Sequence, residues 1–345
     1  MLSGSETTLA MVGTAERNVS VGARARSRPV LADLGLNRLA CALLGLDVVI
    51  AAVVVMALPA SRLSVQWTSA IPLLAWDAVL LSLWTYLALT TRKRREFLVA
   101  ETVMVLALTL IVSHVLAPAQ YVAVSTNRPL IDPLLASADR MLGVNVGTFA
   151  AWTATHPVLA VMLRAAYFSL LPQFAMVVPL LGMYLKDRER LWEYLFHFHF
   201  CAGLTVLALA VFPAACAFQF YGFDSLIDQS RFIAHFNGIR DGAFKVIQFN
   251  NLEGLVSMPS FHVAGGLMVV WALRQTRALL AWAVVLNVLL IAATVMTGAH
   301  YVVDVVATIA MFAISVVLWQ LFGRALVVPR EESLPLATRA VSRAS

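Results

Sequence analysis

Two short stretches of this chain place side chains that can hold an anion and move protons beside it. In SMPSFHVAGG, residues 257–266, Pro259, Ser260 and His262 stand where a polar loop gives way to an apolar run. A proline at the first helical position is favourable, because the N–H it lacks would have no partner there. The free amides that follow point out of the helix end, and the helix dipole makes that end attractive to anions. His262 then falls in the first turn, an imidazole beside a bound phosphate oxygen. Ser260 either touches that anion or caps the helix. The second stretch, TGAHYVVDVV at 297–306, sets His300 and Asp304 four residues apart. That spacing predicts one helical face, about 6 Å apart along the axis. A carboxylate bonded to one imidazole nitrogen fixes the tautomer and leaves the other nitrogen basic and aimed. His300 is thereby a candidate nucleophile or base, oriented by Asp304.

The elements that carry these residues are apolar. Hydrophobic types make up 61% of the 345 residues and charged types 13%, against about 45–50% and about 25% in soluble chains. The expected fold is all-α, a polytopic membrane bundle of about eight transmembrane helices. The expected spans are 38–58, 71–91, 97–117, 157–184, 191–213, 259–273, 278–296 and 300–322, since a crossing needs roughly 20 apolar residues. Pro172 and Pro179 predict a kink or break in the fourth. A six-helix catalytic core over about 120–322 would follow N-terminal extra helices, all within a membrane domain at 37–324. Residues 1–36, polar and Arg-dotted, are read as a disordered cytoplasmic tail, and 325–345 as a second tail. No cleaved signal peptide is expected, because the first apolar run is long enough to span. Cys41, Cys201 and Cys216 show no disulfide or metal spacing.

Lysine and arginine set the orientation. Eighteen lie at one set of helix ends: Arg17 through Arg38, residues 92–95, Lys186 to Arg190, Arg274, Arg277 and four from Arg324 onward. Six lie at the other: Arg62, Arg128, Arg140, Arg231, Arg240 and Lys245. This places both termini in the cytoplasm and the two histidine stretches at the outer mouth, with a bacterial inner membrane and a periplasmic site as the expected setting. The formal net charge of +6 is explained by this asymmetry and not by a nucleic-acid partner. Outer loop 118–156 carries apolar residues at helical spacing from Leu130 to Leu142, read as a short amphipathic helix on the membrane surface or across the bundle mouth. A phosphate in a partly dry site wants cations, and Arg240 and Lys245 in the loop 231–256 are the candidates. Thr294, Thr297 and Tyr301 are candidate lining residues. Arg164, inside the fourth span, either pairs with Asp47, Asp77 or Glu101 or reaches a headgroup.

The proline–serine–x–histidine piece, followed some 40 residues later by GAHYVVD, resembles the type 2 phosphatidic acid phosphatase superfamily of membrane lipid phosphatases. The wording HYxxD and the upstream GIRDGAF…EGLVSMPSFH are similar to its inositol phosphorylceramide synthase-like branch, as is LRAAYFSLLPQ at 163–173, which adds Tyr167 and Gln173 as lining candidates. The resemblance is clearest over 238–310. It implies a lipid phosphatase (a hydrolase) or phosphotransferase of lipid metabolism, with no cofactor and no metal, acting on a phospholipid or sphingolipid-type substrate in the bilayer. His300 would form a phosphohistidine, His262 would serve as acid and base, Asp304 would steady the imidazolium, and water or an inositol-like polyol would accept the group. One position departs: the Ser-Arg usual in the phosphatases is Ala293-Thr294 here, a shift toward transferase. Two other classes compete. A bis-histidine haem or electron-transfer protein needs two facing histidines at one depth, and a lipid transporter needs a polar site near mid-bilayer.

Overall fold

The computed structural model describes residues 37–90 and 94–327, so the expected tail at 1–36 and most of that at 325–345 lie outside the described residues. In chain order the helices are α1 (Arg38–Ser61), α2 (Ile71–Thr90), α3 (Arg94–Ser125), α4 (Asp132–Met141), α5 (Val146–Ala154), α6 (Pro157–Phe168) and α7 (Leu170–Pro179). They continue as α8 (Arg188–Val211), α9 (Ala217–Tyr221), α10 (Ser230–Arg240), α11 (Phe261–Ala272), α12 (Arg277–Met296), α13 (Val302–Leu318) and α14 (Arg324–Val327). Two-residue strands β1 (Ser64–Val65) and β2 (Val246–Ile247) pair in parallel, Ser64 opposite Val246 and Val65 opposite Ile247. This all-α bundle is an integral membrane protein.

Among the described residues six helices are long and apolar enough to cross a bilayer, or seven if α5 and α6, bent by 117° at their junction, form one span. Eight crossings were expected, and the two that differ have local causes. The fourth is broken: α6 stops at Phe168, α7 restarts at Leu170, and a π turn over Leu180–Tyr184 follows Pro179. Pro172 falls in the first turn of α7, where a missing N–H is tolerated. The sixth is the 12-residue α11, too short to cross at 1.5 Å per residue. The third runs on past its expected end to Ser125, through Pro118.

Helices α3 and α8 stand at the centre, and a cluster including Leu108, Val112, Trp192, Leu195, Phe198 and Met268 packs between them and α11. Buried carboxylates meet partners across this core, as groups withdrawn from water must. Glu101 takes the Arg188 Nε at 2.7–2.8 Å and the Trp192 indole at 3.3 Å. Asp77 pairs with His114 at 2.9 Å and Asp47 with His199 at 3.4 Å. The expectation that Arg164 pairs with one of these acids is therefore corrected: each has another partner, and Arg164 is exposed on α6. His197 and His199 do point apart, His197 Nδ1 lying 2.6 Å from Ser315 Oγ.

Gly182 lets the π turn press against α3, because a Cβ there would overlap the Thr102 side chain. Replacing it with valine should lower the thermal unfolding midpoint in detergent, at a cost of about 1–3 kcal/mol for overpacking. Gly45→Ala, with nothing near its added carbon, should leave the midpoint unchanged or raise it.

Candidate active site

Ser260 is the N-cap of α11. Its Oγ accepts the Val263 N–H at 3.4 Å, and Phe261 is the first helical residue. Pro259 thus stands just outside the helix and not at its first position. His262 keeps its place in the first turn, where the amides lack intrahelical partners.

His300 also differs from its expected setting. Helix α12 ends at Met296, and the chain turns through Gly298 at φ +84°, where a Cβ would overlap the Phe223 ring. The His300 N–H returns to the Thr294 carbonyl at 2.9 Å. So His300 lies in the turn before α13, and it does not share a helical face with Asp304. What brings the two together is a capping box. Asp304 reaches back to accept the Tyr301 N–H through Oδ2 at 2.9 Å, and the same oxygen lies 3.5 Å from His300 Nδ1. That separation is an ion-pair distance and not a hydrogen bond; His300 Nδ1 and Asp304 Oδ1 are buried with no hydrogen-bond partner among the described residues. The other ring nitrogen, Nε2, lies 3.1 Å from Ser260 Oγ.

Thr308 joins the two halves. Its hydroxyl accepts the Ser260 N–H at 2.9 Å and donates to the Asp304 carbonyl at 2.6 Å. Helix α4 closes over the start of α13. Asp139 accepts the Val302 and Val303 N–H groups at 3.0 and 2.9 Å, and Asp132 accepts the Tyr301 hydroxyl at 3.0 Å and the Ala215 N–H at 2.9 Å. Burial pushes the Asp132 carboxyl up from its usual value. Of the two readings of this helix, packing across the bundle mouth is the one observed.

The loop entering α11 is tied to α3. Gln120 Oε1 accepts the Leu255 N–H at 2.8 Å, and the Tyr121 hydroxyl accepts the Glu253 N–H at 2.9 Å and lies 2.8 Å from His235 Nδ1. Burial holds the His235 imidazole below its ordinary value, which favours the neutral ring as acceptor.

His262 and His300 line one cavity of about 470 Å³, together with Tyr167, Gln120, Glu253 and apolar residues such as Phe174. The His262 ring stacks on Tyr167, centroids 4.0 Å apart and planes 20° from parallel. No lysine or arginine lines the cavity among the described residues. Arg240 and Lys245 line a different cavity, and the Arg240 guanidinium donates to the Arg128 carbonyl at 3.0 Å. The expectation that they meet the histidines is corrected, since the β1–β2 ladder holds their segment against the α1–α2 turn. Arg164 does not line the histidine cavity either. Thr294 and Thr297 spend their hydroxyls on the Ile291 and Ala293 carbonyls, Tyr301 spends its own on Asp132, and Gln173 bonds Asn287. Sequence reasoning missed Asp132, Asp139 and Thr308. The seven-residue spacing of the two acids on one amphipathic helix was the available signal for the first two.

A family model described as the PAP2 superfamily matches residues 133–318. The chain belongs to the PAP2 superfamily. No curated protein and no solved structure matches it. PAP2 membership supports an enzyme with phosphatase- or phosphotransferase-type activity, and the matched residues contain both histidines, Asp304 and Asp139, which caps α13. Helices α1 to α3 lie outside the match.

Removing the Asp139 carboxylate leaves two partly buried N–H groups without their acceptor. Asp139→Ala should therefore cost about 1–3 kcal/mol, read as a lower unfolding midpoint. Thr308→Val, which keeps the shape and loses the bridge, should reduce turnover more than it reduces that midpoint.

Proposed function

We propose that this PAP2 protein is a membrane lipid phosphatase or phosphotransferase that works through a phosphohistidine and transfers a phosphoryl or phospho-headgroup to water or to an inositol-like polyol. The observation that carries the reading is that two imidazoles from separate segments line one cavity, one of them 3.5 Å from a buried carboxylate. His300 Nε2 attacks phosphorus while the bond to the leaving oxygen breaks, and His262 gives that oxygen its proton. The Asp304 carboxylate steadies the positive charge that develops on the His300 ring. Ser260 Oγ and the first amides of α11 supply hydrogen bonds to the phosphoryl oxygens. An alcohol or water then attacks the phosphohistidine, yielding its proton to His262, and both rings return to their starting states.

The cavity wall favours a particular substrate charge. With no lysine or arginine there, a phosphodiester with one negative charge is better matched than a doubly charged monoester, since a buried charge needs a partner. The apolar flank at Leu170, Phe174 and Phe198 suits a lipid tail. By the lysine and arginine asymmetry, the termini face the cytoplasm and this cavity opens toward the periplasm of a bacterial inner membrane.

His300→Ala, His262→Ala and Asp304→Asn should each lower turnover by about 10³-fold or more, with unfolding midpoints retained. Purified protein incubated with labelled phospholipids and quenched without acid should carry label on His300; an unlabelled protein that still turns over would sink the covalent step. Adding free inositol or glycerol separates the acceptors, since hydrolysis releases inorganic phosphate and transfer labels the polyol.

A further inference from the structure

The cations that do not reach the histidines converge elsewhere. A second cavity, of about 370 Å³, is lined by Arg62, Arg240 and Lys245, with Ser61, Ser125 and Asn127 as polar neighbours and Asp241 as the one carboxylate on its wall among the described residues. Three of the six lysines and arginines assigned above to that end of the bundle thus share one cavity. They come from three places: the left-handed residue that ends α1 (φ 59°), the C-terminus of α10, and the residue before β2. The β1–β2 ladder brings them together, with the Ser64 N–H donating to the Lys245 carbonyl at 2.9 Å. Gly242, at φ +74°, leaves room for the Lys245 ammonium, which lies 3.5 Å from where a Cβ would stand.

Arg62, Arg240 and Lys245 form no ion pair among the described residues. Arg38, Arg128, Arg140, Arg164 and Arg277 also form none there, but none of them lines this cavity. Five others, Arg188, Arg190, Arg231, Arg274 and Arg324, each have a carboxylate within 4 Å. Three cations facing one carboxylate, Asp241, leave a net positive charge in the cavity; like charges repel, and the arrangement costs less when an anion binds between them.

Position points to the source of that anion. Gln120 on the histidine cavity and Ser125 on the basic one are five residues apart on α3, about 7–8 Å of rise. Arg62 directly follows the last residue of a helix long and apolar enough to span, and Trp67, five residues further on, is 58% exposed, as suits an aromatic near a membrane surface.

We propose that Arg62, Arg240 and Lys245 form a phosphate-binding site at the membrane surface, separate from the histidine cavity, that takes the phosphate of an anionic lipid headgroup or a free phosphate. It uses Arg62, which lies outside the PAP2 match, and stands whether or not the histidines are catalytic.

The test uses full-length protein in detergent, with phosphatidylglycerol, phosphatidylcholine and inorganic phosphate as probes and native mass spectrometry as readout. Phosphatidylglycerol should be retained over phosphatidylcholine. Combining Arg62→Gln, Arg240→Gln and Lys245→Gln should weaken its binding about a hundredfold, at roughly tenfold or less per cation, while His300→Ala should leave it unchanged. Arg62→Gln alone, at an exposed position, should weaken it about fivefold and guards against misfolding of the triple variant. Loss of inorganic phosphate binding alone assigns the site to the free anion. Binding of both probes that survives the triple change in a folded protein, or that falls with His300→Ala as well, overturns the proposal.

Discussion

The Thr308 hydroxyl sits between the starts of two helices and sets their register. It takes the Ser260 N–H from the start of α11 and gives its own proton to the Asp304 carbonyl in the first turn of α13. Ser260 in turn lies 3.1 Å from His300 Nε2, and Asp304 lies 3.5 Å from the opposite nitrogen of the same ring. Every residue in this path is buried, and the hydrogen bonds through Thr308 and Ser260 spare polar groups the cost of standing unpaired in an apolar setting. Those bonds hold the two helix starts together.

Helix α4 extends the same logic outward. The four amides at the start of a helix need acceptors, and in α13 two of them are met in trans by Asp139. Asp132 holds Tyr301, the residue between His300 and the helix. The turn that carries His300 is therefore clamped from three sides: by the capping box, by α4 and by the left-handed Gly298. A side chain asked to attack phosphorus benefits from such restraint, because proximity and orientation reduce a barrier only while the geometry is kept.

The charge distribution divides this end of the bundle into two regions. Among the described residues the histidine cavity is lined by carboxylates, amides and aromatic walls and by no lysine or arginine, and the cavity reached about 7–8 Å further along α3 gathers three. The separation follows from the β1–β2 ladder, which ties the loop carrying Arg240 and Lys245 to the turn after α1.

Much of this was legible in the residues. Runs of apolar side chains long enough to cross a bilayer leave the backbone one way to satisfy itself, so all-α architecture and most helix positions followed from composition. The pairing of Pro-Ser-x-His with His-x3-Asp singled out two imidazoles and a carboxylate, which are costly in an apolar chain, and the fold brings both rings to one cavity with the carboxylate beside one of them. Ser260 as a cap and the helix at 132–141 were also within reach of local rules. Other features depend on contacts between residues far apart in the chain. Pro259 moved outside the helix because Ser260 caps it. His300 left the helical face because Gly298 turns the chain before α13. Thr308 and Asp139 act through partners 48 and 163 residues away, and Arg240 and Lys245 were carried off by a strand pairing 182 residues long in sequence. Local spacing encodes what a residue does to its own turn; where a side chain ends up relative to a distant segment depends on which buried donors and acceptors remain to be paired once the helices pack.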